Sequence, residues 1–95
     1  MLQILTVCGA GVGSSILLKV YTEQILQAEG IHAEVQSVDI GSMGTTNVDI
    51  IITTPDLSKL IRNTDAKLIE LVNLTDKTTL QNKLLEVIKE IREGE

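Results

Sequence analysis

One side chain in this sequence combines nucleophilic capacity with a neighbourhood built to hold an anion. It is Cys8, the only cysteine, followed by Gly9, Ala10, Gly11, Val12, Gly13, Ser14 and Ser15. Three of the chain's seven glycines fall within those positions. Glycines at that density let successive backbone N–H groups converge on one point. A helix beginning near Ser14 would add the positive end of its dipole and its unpaired N–H groups. Ser14 and Ser15 bring two hydroxyl donors. The same field favours a thiolate at Cys8, the nucleophilic form of the residue. A phosphate cradle that contains a nucleophile points to a covalent phosphocysteine. No metal and no cofactor is required, because the backbone nest and the dipole supply the positive field.

A cysteine ending a buried strand is often only a small core residue. What tilts Cys8 toward chemistry is the glycine-rich stretch and helix start behind it. One of the two serines is accounted for by helix capping alone. Other candidates are weaker. His32, the only histidine, lies in the polar phase of a strand and reads as a surface residue. Asp56 follows Pro55 at a strand's carboxyl end and is expected to cap a helix. Lys19 and Arg62 could neutralise a phosphate, but solvated positions are the default for such residues.

Better-known loops fit less well. A phosphate-binding loop of the G-x-x-x-x-G-K-[ST] type needs a lysine after the glycines, and Lys19 comes too late. The dinucleotide pattern G-x-G-x-x-G fits Gly9 and Gly11 but meets Ser14 at its third glycine. Asp39 mimics that pattern's ribose-binding acid, but 95 residues hold only about half of a dinucleotide-binding domain. Cysteine-dependent phosphatases use C-x5-R, which would place an arginine where Ser14 stands.

The surrounding elements must hold this loop. Residues 1–7 are short, apolar and β-branched toward their end, as a buried parallel strand is. From about Ser14 the period becomes helical, with Leu17, Val20, Tyr21, Ile25 and Ala28 expected on the buried face and Lys19, Glu23 and Gln27 outside. Gly30 suits the position after the helix end, where φ is positive. Residues 31–38 alternate as a half-exposed edge strand, with His32, Glu34 and Gln36 on the polar side. Residues 39–47 are turn-rich and short for a parallel crossover. Residues 48–53 form the strongest strand, closed by Pro55. Asp56 to Arg62 suggests a short helix carrying Leu57, Leu60 and Ile61. Lys67 to Val72 gives a fourth strand. Thr75 or Asp76 would cap a last helix whose apolar stripe is Leu80, Leu84, Val87, Ile88 and Ile91. Its other face, Lys83, Glu86, Lys89, Glu90, Arg92 and Glu93, is charged. The alternation implies an α/β, Rossmann-like parallel sheet with helices on both faces, in a single domain over residues 1–95.

Composition narrows the function. Eight Lys and Arg against thirteen Asp and Glu leave a net charge of −5. An acidic chain repels phosphate backbones, so nucleic acid is not expected as a partner. Tyr21 is the only aromatic residue, which removes a base-stacking platform. One cysteine makes neither an intramolecular disulfide nor a zinc cage. No apolar run reaches the length of a transmembrane helix, and the free thiol suits the cytoplasm.

With these features the chain resembles the B component of enzyme II of the bacterial phosphoenolpyruvate-dependent sugar phosphotransferase system. It is nearest the ascorbate/galactitol, lactose-like cysteine types. The likeness is carried by Ile-Leu-Thr-Val-Cys-Gly-x-Gly-x-Gly-Ser-Ser at 4–15, Val-Asp-Ile-Ile-Ile-Thr-Thr at 48–54 and Leu-Leu-Glu-Val-Ile-Lys at 84–89. It departs at Ala10, where ascorbate-type loops usually carry asparagine. The resemblance implies a four-stranded parallel sheet in the order 2-1-3-4. It implies that Cys8 takes a phosphoryl group from a phosphohistidine of the A component (IIA). Cys8 would pass it to a sugar, ascorbate-like or polyol, bound by the membrane-embedded C component (IIC). Two rivals remain: a cysteine phosphatase of the low-molecular-weight type, and a nucleotide- or anion-binding regulatory module.

Overall fold

The computed structural model describes residues 2–8, 14–39, 48–61, 66–73 and 76–93, with backbone alone at Cys8, Ser14, Ser15 and Asp39. Among these the order is β1 (Leu2–Cys8), α1 (Ser14–Ala28), β2 (Ala33–Asp39), β3 (Ile50–Thr53), α2 (Pro55–Ser58), β4 (Lys67–Glu70) and α3 (Lys77–Glu93). The strands form one sheet in the order β2-β1-β3-β4, all pairs parallel. This is the order the family resemblance implies, with β2 at an edge as its alternation requires.

Strand β3 explains why the sheet is covered on both sides. Ile50, Ile51 and Ile52 are all fully buried. Successive side chains of a strand point to opposite faces, so a run of buried residues needs cover above and below. On one face Ile50 and Ile52 join Ile4, Val35 and Ile69 with Leu18, Ile25 and Leu26 of α1 and Leu80, Leu84 and Ile88 of α3. On the other, Ile51 joins Leu5 and Val7 with Ile61, which follows α2. Burying each such aliphatic side chain contributes about 1.5–3 kcal/mol. The α1/α3 face therefore holds most of the core.

Local signals place the helix ends. After α1, Gly30 adopts φ 66°. Its N–H donates to Gln27 O at 3.2 Å and that of Ile31 to Leu26 O at 2.9 Å. That pair of bonds is the Schellman arrangement, which an L-residue with a Cβ adopts only under strain. Before α3, Asp76 is the cap. Its Oδ1 accepts from Thr79 N at 3.1 Å and its Oδ2 from the Thr79 hydroxyl at 2.7 Å. The alternative cap, Thr75, lies outside the described residues.

Several expectations are corrected. The buried side of α1 is Leu18, Thr22, Ile25 and Leu26, whereas Leu17 is 37% and Val20 40% exposed and Ala28 also faces solvent. A polar residue can take the inner face because the Thr22 hydroxyl donates to Leu18 O at 2.8 Å. Helix α2 is one turn, Pro55–Ser58, and Leu60 beyond it is 65% exposed, so only Ile61 of the expected trio is buried. Strand β3 starts at Ile50 rather than at 48. Strand β4 ends at Glu70, and Val72 is 90% exposed. Residues 40–47, the short connection from β2 to β3, lie outside the described residues.

Candidate functional site

Cys8 is the last residue of β1, an inner strand. On one side its backbone stays in register with β2 to the end, with Val7 opposite Val38 and Cys8 opposite Asp39. On the other side the register with β3 ends at Thr6 opposite Ile52. The chain leaves β1 through α1 toward β2, and leaves β3 through α2 toward β4. The two connections diverge, and this is the topological switch point at which open parallel sheets bind ligands. Cys8 stands on its rim.

Helix α1 begins at Ser14, and its first turn holds no acidic residue to oppose the positive dipole end. Gly9, Ala10, Gly11, Val12 and Gly13, the expected phosphate cradle, lie outside the described residues, as does Arg62. What is fixed is the frame. A strand ends at Cys8 and a helix starts at Ser14, with five residues between them in the sequence.

Across the switch point, Thr54 caps α2 with extended backbone (φ −94°, ψ 159°) and Pro55 takes the first helical position. Asp56 is therefore not the cap, contrary to expectation. It sits exposed in the first turn, where its charge suits the dipole. Lys19 is half-buried in the second turn of α1. His32 lies at the opposite end of the sheet, its carbonyl accepting from Leu2 N at 3.4 Å. Six residues of strand separate Leu2 from Cys8, or roughly 20 Å, so His32 does not reach Cys8.

Sequence reasoning missed Thr53. Its side chain is fully buried, and its Oγ1 donates to Val7 O at 3.0 Å. A hydroxyl ending a strand of isoleucines was the available signal. The partner, 46 residues away, was not readable. Thr6 makes a comparable bond on the other side, Oγ1 to Gln36 O at 3.3 Å. Among the described residues no helix is long and apolar enough to cross a membrane.

Residues 3–88 match the family model described as the lactose/cellobiose-specific IIB subunit of the phosphotransferase (PTS) system. The chain is 34% identical over 93 residues to the ascorbate-specific PTS system EIIB component of Mycoplasma pneumoniae, covering 92% of this chain and 95% of that protein. It is 36% identical over 91 residues to the protein of the same name from Escherichia coli O157:H7, covering 93% and 90%. Among solved structures it resembles the lactose-specific IIB component domain of Streptococcus pneumoniae. The TM-score is 0.57 at 20% identity, with 94% of this chain and 95% of that one covered, which bears on the fold alone.

Proposed function

The chain belongs to the lactose/cellobiose-specific IIB family of the sugar phosphotransferase system, and we propose that it works there as a phosphoryl carrier with Cys8 as the acceptor. The Cys8 thiolate attacks the phosphorus of a phosphohistidine on a IIA component. The P–N bond breaks as the S–P bond forms, and the imidazole nitrogen keeps the electron pair. In the second step a carbohydrate hydroxyl held by a IIC component attacks the same phosphorus. The S–P bond breaks, the thiolate returns and the hydroxyl proton leaves to a base. The backbone from Gly9 to Ser15 cradles the phosphoryl oxygens, with Ser14 and Ser15 donating from their hydroxyls. This places the protein in the cytoplasm, at the inner face of the membrane while it meets IIC.

One observation carries this reading: the only cysteine of a IIB-family chain ends an inner strand at the sheet's switch point, six residues before a helix start. Of the two acceptors weighed, ascorbate-like and polyol, the relatives named ascorbate-specific support the ascorbate-like one. Ser14 stands where a cysteine phosphatase would place a bidentate arginine. A single hydroxyl there grips the transition state of hydrolysis less, which suits a carrier.

The test is phosphorylation with phosphoenolpyruvate, the general phosphotransferase proteins and a IIA component, followed by intact mass. One phosphoryl group should be gained, and Cys8→Ser should abolish the gain. Equal labelling of the Cys8→Ser protein would remove Cys8 from its role. Cys8-dependent turnover of p-nitrophenyl phosphate would favour a phosphatase instead.

A further inference from the structure

We propose that Thr53 is a positioning residue for Cys8, a role that rests on the carrier function above. The ladder between β1 and β3 stops at Thr6 opposite Ile52, whereas the ladder to β2 continues to Cys8. Beyond that last pair the backbone register continues on one side only. On the unladdered side the Thr53 hydroxyl supplies the missing hold, donating to Val7 O at 3.0 Å.

That oxygen belongs to the peptide unit that joins Val7 to Cys8. The unit is planar, so a bond at its oxygen fixes the plane carrying the Cys8 nitrogen and Cα. The bond therefore sets the position of the Cα from which the thiol branches. The strut is stiff at both ends. Threonine is β-branched, which restricts its χ1. Thr53 is fully buried and stays in register with Glu70 of β4, and its carbonyl accepts from Leu71 N at 2.8 Å. Val7 is fully buried too. The sheet therefore opens at the switch point without loosening the last peptide before the thiol.

Group transfer between a phosphohistidine and a thiolate needs the sulfur in line with the breaking P–N bond. A misplacement of about 1 Å can cost on the order of a hundredfold in rate. The experiment compares Thr53→Val, which keeps the shape and removes the donor, with Thr53→Ser, which keeps the donor. Two rates are read on protein confirmed folded by circular dichroism. One is alkylation of Cys8 by iodoacetamide; the other is phosphoryl uptake from phosphorylated IIA. In Thr53→Val the alkylation rate should fall by about threefold or more and kcat for uptake by about tenfold, with KM for IIA unchanged. Thr53→Ser should restore both to within about twofold. Parental rates in Thr53→Val, or a Thr53→Ser as slow as Thr53→Val, would overturn the inference. Should Thr53→Val not fold, Thr53→Ala against Thr53→Ser makes the same comparison. If the parental protein takes up no phosphoryl group, the carrier function fails, while the alkylation rates still decide the role of Thr53.

Discussion

Helices α1 and α3 pack side by side on the same face of the sheet, yet their outer surfaces differ. The outer face of α3 is charged, with Lys83, Glu86, Lys89, Glu90, Arg92 and Glu93 exposed. The outer face of α1 begins with apolar side chains, Ile16 at 62% exposure beside Leu17 and Val20. Inside, both helices contribute equally well-buried residues, Leu18 for α1 and Leu80 and Leu84 for α3. The helices also touch, with Lys77 Nζ donating to Gln24 Oε1 at 2.9 Å and lying 5.6 Å from the centre of the Tyr21 ring.

The difference has a physical meaning. Single exposed apolar residues are ordinary, but a group of them on one helix marks a contact surface more often than chance does. The group on α1 lies within two turns of Ser14, the residue at which the chain leaves the candidate loop. On the proposed carrier function, a IIA protein that brings its phosphohistidine to Cys8 would cover the surface around it, since stable interfaces bury about 800 Å² on each partner. On that proposal the start of α1, which follows Cys8 by six residues, is expected to belong to the covered surface. Helix α3 carries no catalytic expectation and keeps an ordinary solvated face.

The largest expected effects concern the shared inner surface. Leu18→Ala and Leu84→Ala should each lower stability by about 2–5 kcal/mol, read by urea denaturation, because both remove fully buried side chains. Leu17→Ala should cost clearly less than Leu18→Ala. Equal losses would mean that the inner side of α1 is misassigned.

A smaller effect sharpens the contrast between the outer surfaces. Ile16→Ala should leave stability within about 0.5 kcal/mol and raise KM for phosphorylated IIA about tenfold. Glu86→Ala together with Glu90→Ala on α3 should change neither. An unchanged KM in Ile16→Ala would take α1 out of the docking surface.

The smallest effect lies at the start of α3. Hydrogen bonds from the Thr79 side chain and then its backbone N–H hold the Asp76 carboxyl below its ordinary 3.8. A carboxylate with a lowered native pKa contributes stability above its unfolded value, and that contribution is lost as pH falls through the native one. Stability curves of the parental protein and Asp76→Asn should therefore differ slightly near neutrality and converge below about pH 3.8. The gap is small because Asp76 is exposed and asparagine also caps helices. A gap that widens in acid would contradict the Asp76–Thr79 bonds.

These two helices also show what could be read in advance. In α3 one apolar stripe faces one charged stripe, so Leu80, Leu84 and Ile88 were identifiable as buried, with Val87 and Ile91 packed at the margin. In α1 apolar residues occupy both sides, and the period alone selects no inner face. Of the expected set Ile25 is buried, but Leu17 and Val20 are exposed, and the sheet took Leu18, Thr22 and Leu26 instead. The Thr22 hydroxyl is satisfied within the helix, so the inner face tolerates a polar residue.

Local chemistry in the chain decided the rest of the secondary structure. The isoleucine run made β3, Gly30 ended α1, Asp76 opened α3, and the alternation of strands with helices required a parallel sheet. The cysteine with its glycines and serines indicated a candidate site, because those residue types carry their chemistry in the backbone and side chain themselves. Tertiary structure alone decided which face of α1 is inside, that α2 stops after one turn, and that Thr53 reaches the peptide before Cys8. The first and the last depend on contacts between residues distant in sequence. Such contacts are set by how elements dock, and no local period or propensity encodes them.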